Sequence, residues 1–268
     1  MTDAMTPPAR AEEGLKSLTK VVRVLDAFST RNRALSLTDI CRLTGFPKST
    51  THRLLASMRE AGLLDQDEQR DRYRLGVKLF ELGNIVLANM ELHREARPFV
   101  DMLTRQGGQA VHLAVFDGRR AIVIHRADAS PDKVASPTMI EQAPVHCTGV
   151  GKAILAYQPE PVLQRVIAAG LARFTENTIT EPAALLRELA RIRDRGYAID
   201  EAEHQPGLRC IGAPIRDRSA NVMAGISITG PAWRLPLTEL DAIARLVVHH
   251  AAAISAALGY GASAVLPA

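Results

Sequence analysis

Three short amphipathic segments near the N-terminus, with a Gly-Phe-Pro turn at 45–47 between the last two, limit the possible folds of this sequence more than any other feature. The first segment, residues 17–29, carries apolar residues at helical spacing. A second helix is predicted from a cap at Ser36 or Thr38 to the glycine of the turn. The proline of the turn suits the first position of a third helix. A tight turn between two such helices is typical of a helix-turn-helix.

The segment after the third helix has the pattern of a β-hairpin. Leu63-Leu64 and Tyr73-Arg74-Leu75 flank a polar, turn-rich stretch at 65–71. Three helices followed by a hairpin predict a winged helix-turn-helix over residues 15–76. Residues 1–14, which precede it, are predicted to be a flexible tail.

Basic residues are concentrated in the same part of the chain. Residues 15–64 contain nine basic and three acidic residues, whereas residues 81–268 contain 19 of each. A compact basic segment attached to a neutral body favours binding to a polyanion.

The third helix presents a candidate surface for DNA. Its predicted apolar face comprises Thr51, Leu54, Leu55 and Met58. The N-terminal part of such a helix enters the major groove, where an arginine can bond a guanine edge and a lysine a phosphate. The predicted DNA-contacting residues are Lys48, Ser49, Thr50, His52 and Arg53 on the helix, with Arg70 and Arg72 in the hairpin. The alternative is an ordinary solvated helix face, but the turn, the hairpin and the charge bias together favour DNA.

The remainder of the chain is predicted to be an α+β domain. Residues 77–91 are apolar around much of a helix circumference, which predicts a linker helix that packs against a partner chain. Helices are predicted at 92–106, 149–168, 182–195 and 237–258. Strands are predicted at 109–116, 120–127, 197–201, 209–216 and 222–229. Asp117-Gly118 lies between two of these strands and is typical of a hairpin turn, so an antiparallel sheet flanked by helices fits best.

Composition narrows the class of protein. Apolar residues make up 47% and charged residues 23% of the 268 residues, which is ordinary for a soluble protein. No run of about 18 apolar residues predicts a membrane span, and the polar N-terminus does not resemble a signal peptide, so a cytoplasmic protein is expected. Three scattered cysteines, without CxxC spacing, are expected to stay reduced.

Several stretches of the chain resemble the IclR-type transcriptional regulators. They are Leu37–Ile40, Gly45–Thr50, His52–Leu55, Tyr73–Gly76, Val111–Ala114, Pro144–Gly149, Gly151–Ala153, Thr178–Thr180, Arg195–Asp200, Gly207–Ile211 and Ser227–Pro231. The resemblance implies a winged helix-turn-helix, the linker helix 77–91, a GAF-like effector-binding domain over 92–260 and a C-terminal tail, 261–268. It also implies assembly into homodimers, often dimers of dimers, on operator DNA.

The resemblance places an effector pocket against the sheet of the second domain. By position, its lining residues are Gly149, Val150, Asp200, Leu208, Cys210, Ser227 and Thr229. Thr148 can cap the helix that follows, whose first N–H groups suit a carboxylate. Hydroxyl groups on a buried sheet face also need partners. A small organic or aromatic carboxylic acid is therefore the expected effector.

Two departures from the family pattern stand out. Thr51 occupies a position where valine is usual and puts a hydroxyl group at the edge of the helix packing. The stretch Ser136-Pro137-Thr138 is less typical of the strand that rims the pocket, and this bears on the class of effector.

Three other functions are consistent with some residues. A metal or redox sensor would use Cys147 and Cys210 with one of His112, His125, His146 or His204, although their long spacing gives no direct support. A cysteine-dependent enzyme would use Cys147 with His112 or His125 as base, and a DNA-packaging protein would not need the large neutral domain. Gly149-Val150-Gly151-Lys152 does not satisfy the phosphate-loop pattern. The sequence thus predicts a regulator without catalytic residues, metal ligands or cofactor.

Overall fold

The computed structural model describes residues 9–29, 32–67, 71–129 and 142–261. The chain divides into two compact units, residues 1–89 and residues 90–268. Arg70 and the stretch 136–138 lie outside the described residues. The predicted fold class, an N-terminal helix-turn-helix followed by an α+β domain, is confirmed.

The first unit contains the three predicted helices, the hairpin and the linker helix. Its elements are α1 (Ala9–Leu25), β1 (Leu35–Ser36), α2 (Leu37–Thr44), α3 (Lys48–Glu60), β2 (Leu64–Asp67), β3 (Arg72–Leu75) and α4 (Val77–Asn89). The strands form an antiparallel sheet in the order β1-β3-β2. Strand β1 was not predicted, and it gives the hairpin a third strand. Helix α1 begins earlier than the apolar pattern indicated.

The helix-turn-helix is fixed by local chemistry at its two breaks. Ser36 caps α2 by accepting a hydrogen bond from the Asp39 backbone N–H at 3.1 Å, and the Asp39 carboxylate accepts one from the Ser36 backbone N–H. Gly45 ends the helix at φ +72°, a left-handed conformation that favours glycine. Pro47 precedes α3 as its N-cap residue rather than occupying its first turn. The helices close over a core of Val24, Phe28, Leu35, Ile40, Leu55, Met58, Leu64 and Tyr73.

Thr51, the departure from the family pattern, is fully buried in α3, and its hydroxyl group is satisfied locally. Its Oγ1 donates to the Pro47 carbonyl oxygen at 3.1 Å, and that oxygen also accepts the Thr51 backbone N–H at 2.9 Å. A threonine is therefore tolerated among apolar neighbours because the N-cap residue of the helix supplies its partner.

Replacing Thr51 by valine is expected to change the free energy of unfolding by no more than about 1 kcal/mol. Valine keeps the buried volume, and the Pro47 carbonyl keeps its bond from the backbone. Thr51→Ala is the matched control and should cost more, because it also removes a buried carbon atom. Urea denaturation of the three proteins measures both changes. A valine variant less stable than the alanine variant would contradict this account.

The second unit is a six-stranded antiparallel sheet with helices on both faces. Its elements are α5 (Glu91–Gly107), β4 (Ala110–Phe116), β5 (Ala121–Ala127), β6 (Gln142–Ala143), α6 (Gly149–Leu155), α7 (Glu160–Ala168), α8 (Pro182–Arg195), β7 (Ala198–Glu201), β8 (Leu208–Arg216), β9 (Val222–Pro231) and α9 (Leu240–Ala257). The strand order is β6-β5-β4-β9-β8-β7. Helices α5 and α9 cover one face, and α6 lies on the other with α8 against it.

The predicted helix at 149–168 is wrong in one respect, since it is two helices. α6 ends at Leu155, and Pro159 then adopts an extended conformation and starts α7 as its N-cap residue. Proline has no backbone N–H to donate to the preceding turn of a helix, so the helix cannot continue through Pro159 and the chain turns there. The consequence is a short α6 whose seven residues are all buried.

Helix α6 is seated directly on β8. A Cβ atom at Gly212 would lie 2.4 Å from the Gly149 carbonyl oxygen, so only glycine permits this approach. The first turn of α6 is thereby held against the middle of the sheet.

The segment Leu237–Ala257 is long and apolar enough to cross a membrane by length and composition alone. In the structure α9 packs on β8 and β9. Core helices of soluble proteins have the same composition, so this segment is weak evidence for a span.

Candidate functional site

The polar face of α3 is largely open to solvent. Lys48, Ser49, His52 and Arg53 are exposed, whereas Thr50 is half-buried. Thr51, Leu55 and Met58 are buried, and Leu54 is half-buried, so the predicted division of the helix into two faces agrees with the structure.

Helix α1 contributes basic side chains that the face analysis of α3 missed. Lys20 lines a groove together with Thr50 and Arg53. The Arg23 guanidinium lies 5.3 Å from the centre of the Phe46 ring, at the turn between α2 and α3. The only sequence signal for these two residues was the charge excess of the whole segment.

Of the two hairpin arginines predicted to contact DNA, Arg72 is described by the structure. It is exposed on β3, and its guanidinium donates to the Ala34 carbonyl oxygen at 3.1 Å. This bond ties the hairpin to β1 and leaves the other guanidinium N–H groups available. The structure does not describe Arg70.

In the second unit, strand register brings polar side chains together on the sheet face that α6 covers. Thr229 of β9 lies opposite Cys210 of β8, which lies opposite Asp200 of β7. In the neighbouring row, His112 of β4 lies opposite Ser227 of β9. Directly opposed residues share a face, so all five side chains point to the same side of the sheet.

These two rows form the floor of a cavity of about 110 Å³. The lining residues are His112, Val123, Ala143, Thr148, Gly149, Val150, Asp200, His204, Gln205, Leu208, Cys210, Ser227 and Thr229. All seven residues predicted for the effector pocket are among them, although binding of a ligand there stays a prediction. The volume lies below the range of about 300–1,000 Å³ that is usual for drug-sized ligands, so it suits a compact one.

Hydrogen bonds hold both ends of the cavity floor. The His112 Nδ1 lies 3.2 Å from the Thr229 hydroxyl oxygen. Cys210 lies between Thr229 and Asp200 in the row of paired residues. Asp200 accepts the Glu203 backbone N–H at 2.7 Å, which holds the loop between β7 and β8. Ser227 is 2% exposed, and its hydroxyl group has no partner within the described part of the chain.

Among the described residues that line this cavity, none is a lysine or an arginine. Burial, with a smaller contribution from Arg126 on the adjacent strand, lowers the pKa of His112 to about 4, so the imidazole is neutral at physiological pH. Burial raises the pKa of Asp200. The polar groups that suit an anion are the N–H groups at the start of α6, where Thr148 caps the helix by accepting from Gly151 N–H at 3.1 Å.

A buried ion pair lies beneath the cavity loop. Lys152 of α6 is 1% exposed and its ammonium group donates to the Glu203 carboxylate. The Glu203 backbone carbonyl accepts the Thr178 hydroxyl at 2.6 Å, which adds a second anchor. The other carboxylate oxygen of Glu203 is buried without a hydrogen-bond partner among the residues described.

Cys147 and Cys210 lie in surroundings that disfavour thiolates. Burial raises the pKa of Cys147 to about 12 and raises that of Cys210 as well. Within residues 9–29, 32–67, 71–129 and 142–261, no three His, Cys, Asp or Glu side chains are grouped so as to hold a metal ion. Cysteine nucleophiles and metal ligands act as thiolates, so the geometry supports neither the cysteine-enzyme nor the metal-sensor alternative.

The first unit has the architecture of a DNA-binding transcriptional regulator, and comparisons with known proteins agree. The helix-turn-helix model of the IclR family matches residues 17–68, and the model for the C-terminal part of the bacterial transcriptional regulator IclR matches residues 84–256. The chain belongs to the IclR family of transcriptional regulators, which confirms the resemblance of its motifs.

Similar proteins cover nearly the whole chain. The HTH-type transcriptional regulator XynR of Escherichia coli is 32% identical over 249 residues, 92% of this chain and 99% of XynR. The transcriptional repressor IclR of the same species is 31% identical over 257 residues, 95% of this chain and 93% of its own. These relatives are regulators, not enzymes.

Solved structures show the same fold. An IclR transcriptional regulator from Alicyclobacillus acidocaldarius superposes with a TM-score of 0.79 at 26% identity, covering 91% of this chain and 99% of that one. An IclR homologue from Microbacterium hydrocarbonoxydans, complexed with 4-hydroxybenzoate, superposes with a TM-score of 0.74 at 26% identity, covering 90% and 98%.

Proposed function

We propose that this regulator binds operator DNA through α3 and the hairpin, and that a small carboxylic acid in the cavity controls that binding. The observation that carries the proposal is the cavity, which has a capped helix start at one wall and the unpartnered Ser227 hydroxyl on its floor. Buried polar groups without partners favour a ligand that supplies them. The 4-hydroxybenzoate complex of a homologue supports an acid as the class of ligand.

The proposed DNA contacts divide by chemistry. Arg53 is suited to a guanine edge, Ser49, Thr50 and His52 to bases or phosphates, and Lys48 to a phosphate. Arg70 and Arg72 are proposed to contact the DNA backbone or minor groove beside the site. The corresponding proposal for the cavity is that Gly149, Val150, Asp200, Leu208, Cys210, Ser227 and Thr229 surround the acid.

Self-association is part of the proposal because α4 exposes an apolar surface. Phe80 is 70% exposed and Val77 is 65% exposed, and Leu82, Ile85 and Val86 are also exposed. A second copy of α4 would cover these side chains, giving a homodimer or a dimer of dimers. The two winged helix-turn-helix domains of such a dimer then require DNA half-sites about 34 Å apart, or a multiple of that spacing.

The acid is proposed to act by a population shift. It favours one arrangement of the two effector-binding domains in the dimer, and α4 transmits that preference to the spacing of the two winged helix-turn-helix domains. The protein is proposed to act in the cytoplasm. The coupling cannot exceed the difference in the acid's affinity for the two arrangements. The same architecture serves repression and activation.

We expect calorimetric titration to detect binding of at least one member of a panel of small aliphatic and aromatic acids. The same acid should change the affinity of the protein for DNA selected from a random pool. Thr148→Val removes the helix cap at the cavity wall and should weaken acid binding while leaving DNA affinity without acid unchanged. If no acid binds while a neutral or cationic compound does, the carboxylate proposal is wrong.

A further inference from the structure

We infer that α1 binds the DNA backbone through Lys20 and Arg23, so that α1 is a third DNA-contacting element beside α3 and the hairpin. The inference rests on the proposed DNA binding and adds two positioning residues to it. Neither residue lies on the helix or the hairpin that the sequence pattern singled out. The structure brings both of them next to the start of α3.

Lys20 and Arg23 form a basic edge along α1. They are three residues apart and exposed, so their side chains are neighbours on one side of the helix. Lys20 lines the groove between α1 and α3 together with Thr50 and Arg53. The Arg23 guanidinium lies over the ring of Phe46, in the turn that leads into α3. The basic edge therefore accompanies the N-terminal part of α3, which is the part proposed to enter the major groove.

The groove between α1 and α3 carries the groups that bind phosphate. Its polar lining consists of two cations and three hydroxyl groups, which belong to Lys20, Arg53, Ser17, Thr50 and Ser57. No acidic side chain is among the described residues that line it. Lysine, arginine, serine and threonine side chains supply most contacts to DNA phosphates. The lining of the groove thus suits the backbone of a nucleic acid.

The cations beside the start of α3 lack the acidic partners that other basic residues of this unit have. Lys78 of α4, for example, pairs with Glu81 at 3.1 Å. Lys20, Arg23 and Arg53 form no ion pair within the described part of the chain. Unpaired charges of one sign repel one another, which is unfavourable unless an anion binds between them. A structural role would not require this arrangement, whereas contact with DNA does.

A phosphate held by α1 would fix how α3 enters the major groove. Phosphate contacts set the register and orientation of a protein on the duplex and carry no sequence information. Lys20 holds the phosphate beside Arg53, which leaves the Arg53 guanidinium free to read a base. A guanidinium over an aromatic ring still directs its N–H groups outward around its edge, so Arg23 can contact a phosphate while it packs on Phe46.

Gel-shift titrations over a range of salt concentrations test the inference with the full-length protein. The two probes are DNA that the wild-type protein selects from a random pool and unrelated DNA of the same length. Lys20→Gln should weaken both complexes by the same factor. The slope of log affinity against log salt concentration should become about 0.9 shallower for each protomer bound, as expected for one lost phosphate contact. Lys20→Gln/Arg23→Gln should double that change.

Two control variants keep the phosphate contact. Lys20→Arg retains the positive charge and should retain the wild-type salt slope. Lys78→Gln removes one charge from the same unit, at a residue that is paired with Glu81, and should also retain it.

Urea denaturation without DNA separates DNA binding from folding. Lys20 is exposed and has no hydrogen-bond partner in the part of the chain that the structure describes. Lys20→Gln should therefore leave the urea midpoint unchanged or raise it, because it relieves repulsion between cations. A lower midpoint than that of Lys78→Gln would make Lys20 a structural residue and overturn the inference.

Three binding results would also overturn the inference and leave the proposed function standing. They are a wild-type salt slope in Lys20→Gln, an equal loss of slope in Lys78→Gln, and a change in the ratio of affinities for the two DNA probes. If the wild-type protein prefers no DNA sequence from the pool, the proposed function is wrong as well.

Discussion

Replacing Arg53 by alanine is expected to abolish sequence-specific DNA binding while the second unit stays folded and keeps its ligand affinity. Arg53 is exposed on α3 beside the groove that Lys20 also lines. An arginine forked onto a guanine contributes about 1–3 kcal/mol of discrimination. Two winged helix-turn-helix domains on one operator double this loss of binding free energy, which reduces specific binding to the level of non-specific binding.

The measurement is a gel-shift titration at one fixed salt concentration, with DNA that the wild-type protein selects from a random pool. Arg59→Ala is the matched control. Arg59 is an exposed arginine in the last turn of the same helix, and its guanidinium is hydrogen-bonded to Gln66 at 2.5 Å. The control should retain specific binding. Equal losses in the two variants would show that only total charge matters, and simultaneous loss of acid binding in Arg53→Ala would contradict separable modules.

The helix-turn-helix was predictable because its determinants are local. A capping serine, a left-handed glycine and a proline lie within 12 residues, and each acts on its own neighbours in the chain. Strand β1 was missed because Leu35–Ser36 is too short to show alternation and exists only through its pairing with β3. The same limit applies to Arg72, whose bond to Ala34 spans 38 residues.

The cavity was predictable only in part. The seven predicted residues came from matching family motifs, whereas the presence of His112 and His204 in the cavity wall depends on tertiary contacts that no local pattern encodes. Alternation along β4 defines two faces, but only its register with β9 and the seating of α6 decide which face lines the cavity. The break at Pro159 was visible in the sequence, yet the apolar pattern on both sides concealed it.

Lys152 shows most clearly what the sequence conceals. From the sequence, Lys152 would be expected to lie in solvent. In the structure its side chain is buried and paired with the buried Glu203, 51 positions away in the sequence. Two buried carboxylates, Asp200 and Glu203, share the field of this one ammonium group. The ion pair joins α6 to the loop that carries His204 and Gln205 into the cavity wall.

Replacing Lys152 by methionine is expected to lower the free energy of unfolding by about 3–5 kcal/mol, because it leaves the Glu203 carboxylate buried and unpaired. Burial already raises the pKa of Asp200 and of Glu203, and Lys152 opposes that rise in both. Without Lys152 both values rise further, so the folded variant holds protons that the unfolded chain releases. Its stability therefore falls as pH increases above the ordinary carboxyl pKa of about 4.

Urea denaturation at pH 5 and pH 8 measures both effects, and the deficit of Lys152→Met relative to wild type should be smaller at pH 5. The double variant Lys152→Met/Glu203→Met is the control, since it replaces the ion pair by apolar side chains of similar length and should recover most of the lost stability. If the double variant is as unstable as the single one, the loss comes from packing around α6 and not from an unpaired charge. If the stability difference between Lys152→Met and wild type is the same at both pH values, the buried carboxylates are not its cause. Their protonation at the lower pH is the only step of this mechanism that depends on pH.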